Sequence, residues 1–125
     1  MKLGIDLAEV DRIRKLLLRH NTNALLKIWT AREMEEARDK HGEFRTETLA
    51  AGFACKEAVA KALGTGFGPN GVIPSEIEIL HEDSGKPYVV LYGETLDCFN
   101  SKGCKSIEVS LTHTDSVAAA VCIIF

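Results

Sequence analysis

The sequence lacks three features, any of which would have assigned it a class. It has no net basic charge, because 15 Lys and Arg face 18 Asp and Glu for a formal charge of −3. That balance argues against a nucleic-acid partner, since gripping a phosphate backbone takes a basic surface or stripe. It has no Cys-x-x-Cys spacing. Cys55, Cys98, Cys104 and Cys122 stand apart with no zinc-type histidine pattern, so they read as reduced, small apolar residues. It has no apolar run near the roughly 20 residues that cross a bilayer, and Met1 to Asp6 has no apolar signal core. A cytoplasmic protein with no membrane partner is expected. Repeats, low-complexity tracts and linker-like breaks in composition are missing too, so 1–125 is expected to form a single domain.

What is present is ordinary globular composition, 46% hydrophobic and 26% charged, with charge unevenly placed. Between Val10 and His20, Arg12, Arg14, Lys15 and Arg19 stand against Asp11 alone. Leu3-Gly4-Ile5-Asp6-Leu7 alternates as a half-buried strand does, with Leu3, Ile5 and Leu7 on one face and Asp6 on the other. A helix is expected from Glu9 to about Arg19, burying Val10, Ile13, Leu16 and Leu17 and leaving Arg12, Lys15 and Arg19 as an outward stripe. Thr30-Ala31-Arg32-Glu33 fits a capping box and starts a second helix. A long alanine-rich helix is expected over Thr46 to Leu63, ended by Gly64, with a loop running to Gly71. The period then changes to two. Ile77 and Ile79, a turn at Asp83 to Pro87, and Tyr88 to Tyr92 read as a hairpin. A short helix near Glu94 to Ser101 follows, then strands at Ile107 to Leu111 and Val117 to Phe125 around a turn at Thr112 to Asp115. Helices followed by mostly antiparallel strands give an α+β fold, with the sheet packed on the long helix.

Glu57 and Lys61 are four apart on the long helix, an acid and a base on one face. Alone, that is a surface ion pair worth about 0.3 to 0.5 kcal/mol. The small residues around it, Ala54, Cys55, Ala58, Ala60 and Ala62, let another element or a ligand come close. Asp6 on the first strand gives Glu57 a possible partner. Two carboxylates from separate elements suit Mg²⁺, which takes one or two of them and fills its shell with water and phosphate oxygens. The glycines from Gly64 to Gly68 follow a helix rather than precede one, so the usual nucleotide-loop reading fails. Their amides could still line a cleft. His113 stays open between base, phosphate ligand and turn residue.

Taken in order, Gly4-Ile5-Asp6-Leu7-Ala8-Glu9, Phe53-Ala54-Cys55-Lys56-Glu57-Ala58, Lys61-Ala62-Leu63-Gly64-Thr65-Gly66, Gly85-Lys86-Pro87 and Ser110-Leu111-Thr112-His113-Thr114 resemble the holo-[acyl-carrier-protein] synthase family of the 4′-phosphopantetheinyl transferase superfamily. The likeness spans nearly the whole chain, including Ile28-Trp29-Thr30 and Glu33. It implies transfer of the phosphopantetheine arm of coenzyme A to a serine of apo acyl carrier protein, a step serving lipid and fatty acid synthesis. It also implies that Asp6 and Glu57 hold Mg²⁺ and that Lys61 contacts the diphosphate. Gly64, Gly66, Gly85, Lys86, Pro87, His113 and Thr114 would line the coenzyme A cleft. Arg12, Lys15 and Arg19 would meet the acidic carrier, in a homotrimer with sites between subunits. The family commonly has arginine where this chain has Gly52, and Lys56 or Lys86 is the expected substitute for that charge.

Asp6, Glu57, Lys61 and the metal are a sufficient minimal apparatus, because phosphoryl transfer depends on positioning and charge stabilisation. Glu57, Asp6 and a water on the metal are the candidate acceptors of the serine proton, with the water favoured because the carboxylates are occupied. The alternative reading is a non-catalytic coenzyme A or nucleotide binding module of the same fold. A small structural protein with incidental surface charges would bind no coenzyme A at all.

Overall fold

The structure, a computed structural model, describes residues 1–68 and 71–125. In chain order the elements are β1 (Lys2–Glu9), α1 (Val10–Arg19), α2 (Thr22–Leu25), α3 (Ala31–Glu36), α4 (Thr46–Leu63), a 3₁₀ turn (Pro74–Glu76), β2 (Ile77–His81), β3 (Pro87–Leu91), α5 (Gly93–Ser101), β4 (Ile107–His113) and β5 (Val117–Ile124). Pro69 and Asn70 of the expected glycine-rich loop lie outside the described residues.

The expected α+β architecture is present, with every strand pair antiparallel, but the strands form two sheets. One has the order β1-β5-β4 and the other is the β2-β3 hairpin. Helix α4 packs against the three-stranded sheet and meets the hairpin through β2. Twelve of its 18 residues are buried, six of them alanine, so it is wrapped on nearly all sides. Gly64 ends it at φ +82°, a left-handed backbone that glycine adopts without strain.

Small residues decide how closely β1 and α4 meet. A Cβ at Gly4 would collide with the carbonyl of Ala58, so only glycine admits that contact. Gly4 and Ala8 are the buried positions of β1, opposite Cys122 and Ala118 of β5. Asp6 lies between them in the row that faces α4, opposite Ala120. The apolar row is therefore the outer one. Leu3, Ile5 and Leu7 are 65%, 63% and 66% exposed, where alternation alone reads a half-buried strand.

Two core clusters form on α4. Val10, Ile13, Leu25, Trp29 and Met34 gather on its first half, and Ile77, Ile79, Ala120, Cys122 and Ile124 on its second. Strand β4 runs on through His113, which pairs with Ala118, so the turn begins at Thr114 rather than Thr112. All four cysteines are free.

Candidate active site

Strand β1 and the second half of α4 bring Asp6, Glu57 and Lys61 together. The Lys61 Nζ donates to Asp6 Oδ1 at 2.9 Å and to the Ile5 carbonyl at 3.1 Å. Its side chain is half exposed, while that of Asp6 is mostly covered. Partial burial pushes the Glu57 carboxyl above the usual carboxylate range. The charge of Asp6 pushes it the same way, against Lys61 and Arg12. The hydrogen bond to Asp6 raises Lys61 in turn. Two carboxylates thus repel each other beside one lysine, which is the condition a cation relieves. Among the described residues no group of three or more His, Cys, Asp and Glu could hold a metal. The donor set fits an ion that keeps most of its shell for water or substrate oxygens.

Helix α1 starts where β1 ends, the Val10 amide bonding to the Ser116 carbonyl at 2.9 Å. Its exposed face carries Arg12, Lys15 and Arg19, which line a surface concavity with Glu9, Asp11, Leu16 and His20. Asp11 occupies Lys15 at 3.1 Å. The charge of Arg12, at the start of this face, is felt by Glu57.

A second concavity, of about 220 Å³, lies against the first half of α4, lined by Trp29, Glu33, Glu36, Thr48, Leu49, Ala51, Gly52, Ile79, His81, Leu111, Thr112 and His113. His81 is the register partner of Pro87, which brings the Gly85-Lys86-Pro87 turn toward this wall. Gly85 takes φ +92° there, and Lys86 leans to Glu108 at 3.9 Å. Gly52 and Lys61 are nine residues apart, about half a turn round the helix and roughly 13 Å along it. The expected site residues therefore form two groups on different sides of α4. Asp6, Glu57 and Lys61 belong to one, Pro87 and His113 to the other, and Gly64 and Gly66 follow at the end of the helix.

The structure corrects one expectation. Lys56 cannot meet coenzyme A, because its side chain is 0% exposed. Its Nζ donates to Glu33 Oε1 at 2.8 Å, to the Pro74 carbonyl at 3.0 Å and to the Ile77 carbonyl. These use all three ammonium protons. Burial holds Lys56 below its ordinary range, opposed by Glu33. The amides of Gly64, Thr65 and Gly66 are also taken, all directed at the Ala60 carbonyl at the end of α4. The loop can still wall a cleft, as expected of it, with these amides turned back onto the helix end.

The model of the 4′-phosphopantetheinyl transferase superfamily matches residues 2–122. The chain belongs to that superfamily. It is 44% identical to a holo-[acyl-carrier-protein] synthase of Ruminiclostridium cellulolyticum over 99% of this chain and 91% of that protein. To a synthase of the same name from Treponema denticola it is 38% identical, over 98% and 95%. Among solved structures it is similar to the Helicobacter pylori holo-[acyl-carrier-protein] synthase in complex with coenzyme A. The TM-score is 0.83 at 29% identity, covering 98% of this chain and 99% of that one.

For a 4′-phosphopantetheinyl transferase, Gly52 is the informative departure. It is buried on the wall of the second concavity, and a Cβ there would lie 3.9 Å from Glu33 Oε2 and from Trp29 Nε1. No Lys or Arg is among the residues lining that wall. With Lys56 withdrawn, Lys86 is the remaining expected substitute for the missing charge. Sequence reasoning missed His81, whose register with Pro87 was the available signal. It saw Glu33 only as a helix cap, whereas Glu33 also accepts from Lys56 and from the Ile79 amide at 3.2 Å.

Proposed function

We propose that this protein is a holo-[acyl-carrier-protein] synthase, transferring the 4′-phosphopantetheine arm of coenzyme A to a serine of apo acyl carrier protein. The observation that carries the reading is Asp6, Glu57 and Lys61 gathered from β1 and α4, in a chain that matches the superfamily over 2–122. The serine oxygen attacks the phosphorus that bears pantetheine, the bond to adenosine 3′,5′-bisphosphate breaks and that group leaves, and the serine proton passes to a water beside Asp6 and Glu57. Lys61 is placed to meet the negative charge that grows on the diphosphate. In the substrate complex it exchanges Asp6 for phosphate oxygens. Asp6 and Glu57 would hold Mg²⁺, which when bound neutralises diphosphate charge and orients it for in-line displacement. The basic face of α1, which begins at Arg12, docks the acidic carrier with its serine near the carboxylates.

The residues 1–125 act as one domain, a reading supported by two core clusters that share α4. We further infer a homotrimer. Within one chain the two groups of cleft residues sit on different sides of α4, and the outer face of β1 exposes Leu3, Ile5 and Leu7. Covering that face with another copy would set one group against the other and build a cleft for coenzyme A. Among the described residues no helix is long and apolar enough to cross a membrane, and we place the enzyme in the cytoplasm, at the supply of holo carrier for fatty acid synthesis.

The test is to mix the protein with Mg²⁺, coenzyme A and apo carrier protein and weigh the carrier. A gain of one phosphopantetheine group is expected. Binding of coenzyme A without that gain would mean a non-catalytic module. Glu57→Gln is expected to lower the transfer rate at least about 100-fold, while the circular dichroism spectrum stays that of the parent. Near-parental transfer by this variant would remove Glu57 from the site.

A further inference from the structure

The surface of α4 poses a geometric problem for the chemistry it carries. Half of its twelve buried residues are alanine, namely Ala50, Ala51, Ala54, Ala58, Ala60 and Ala62. Such side chains form shallow ridges, so on those sides packing sets the angle of the helix about its axis less sharply than at Gly4 of β1 or at the larger Leu49, Val59 and Leu63. The angle matters for the site. A carboxylate about 6 Å from the helix axis moves about 1 Å for each 10° of rotation. A displacement of that size costs on the order of 100-fold in rate when reacting groups must align.

Lys56 is the one charged side chain of α4 that is completely enclosed, and it precedes Glu57 in sequence. Its ammonium is held by the Pro74 and Ile77 carbonyls at the start of β2 and by Glu33. Glu33 is itself fixed by the amides of Thr30 at 2.8 Å and Ile79 at 3.2 Å. Thr30 continues the network, its hydroxyl donating to Glu78 Oε2 at 2.6 Å, and Glu78 Oε1 accepts from Tyr92 at 2.7 Å. The network ties α4 to α3 and the hairpin, on the side of the helix away from Asp6.

We infer that Lys56 and Glu33 are positioning residues, a buried lock that sets the rotation of α4 and so places Glu57 and Lys61 opposite Asp6. The inference rests on the reading of Asp6, Glu57 and Lys61 given above. The lock touches no substrate and acts through its neighbours on the helix. It accounts for a buried lysine beside a catalytic glutamate, where an apolar residue could fill the same space and a buried ion pair is weak evidence for stability alone.

The test separates placement from stability by replacing both partners. Glu33→Leu with Lys56→Met fills the same space with apolar groups and leaves neither charge alone. The double variant leaves the Thr30 and Ile79 amides and the Pro74 and Ile77 carbonyls without those partners, so it is expected to melt below the parent while staying folded at the assay temperature. Its kcat should fall at least about 10-fold, its KM for the carrier should stay within about twofold, and the Mg²⁺ concentration giving half-maximal rate should rise several-fold. Coenzyme A affinity, read by calorimetry without carrier, should weaken several-fold as Lys61 shifts. A folded double variant with parental kcat and coenzyme A affinity overturns the inference. Should it not fold, Glu33→Gln decides. It keeps an acceptor for Lys56 without the full charge, and parental kcat and Mg²⁺ dependence in that variant also overturn the inference. A parent that transfers nothing refutes the reading of the site itself, a different result from an active parent with an indifferent double variant.

Discussion

Glu57 is placed where its own charge is costly to the fold. Burial and Asp6 hold its carboxyl above the usual range, so the metal-free folded chain keeps a proton at pH values where the unfolded chain has lost it. The native state then binds more protons than the unfolded one, and stability falls as pH rises through the unfolded and then the folded value. Glu57→Gln removes that titration. In EDTA at pH 7 the variant is expected to melt slightly above the parent, on the order of a degree or two, and the two curves should converge at pH 4. A variant that gains stability while losing transfer marks a residue held for function. A parent that instead gains on Glu57→Gln as pH rises would contradict the burial of that carboxyl. Asp6, Glu57 and Lys61 were legible as residues because acid and base at i, i+4 share a helix face, and Asp6 opposes the apolar row of its strand. Lys56 was misread because nothing in the motif tells an exposed lysine from an enclosed one. Its environment is made by Glu33, Pro74 and Ile77, 18 to 23 positions away.

Helix α1 is the element whose charge pattern and position agree best. Its basic stripe was visible in the spacing of Arg12, Lys15 and Arg19, and the structure adds that the charge of Arg12 is felt by Glu57. Arg12 therefore serves both faces, and the clean test spares it. Charge reversal at Lys15 and Arg19 is expected to raise the carrier KM roughly 10-fold at low salt, less at high salt, with coenzyme A affinity unchanged. An equal loss of coenzyme A affinity would mean that the stripe serves the nucleotide. Elements bounded by local chemistry were read closely, as at the capping box of α3, where Thr30 and Glu33 bond reciprocally, and at Gly64. The four-residue α2 has too few positions for a period to show. The division into two sheets was hidden as well, because alternation gives the faces of a strand and says nothing of its neighbours.

At the scale of the molecule the question is what the outer face of β1 meets. Alternation showed that Leu3, Ile5 and Leu7 share a face, but it cannot tell a face buried by its own chain from one buried by another. Here they stand more than half exposed beside the half-buried Val117, Ala119, Val121 and Ile123 of β5. A contiguous apolar face of this kind is what the proposed homotrimer would cover. If copies close a ring through it, each cleft draws Asp6, Glu57 and Lys61 from one copy and His113 from another. Ile5→Glu is then expected to give a monomer by light scattering, with a parental circular dichroism spectrum and no measurable transfer. A monomeric parent, or a monomeric variant that still transfers, would refute the shared cleft. Complementation makes the sharing explicit. Lys61→Ala and His113→Ala are each expected to be nearly inactive. If they are unfolded together and refolded as an equal mixture, about one interface in four joins an intact Lys61 to an intact His113. The mixture should recover roughly a quarter of parental activity, whereas a cleft built within one chain recovers none.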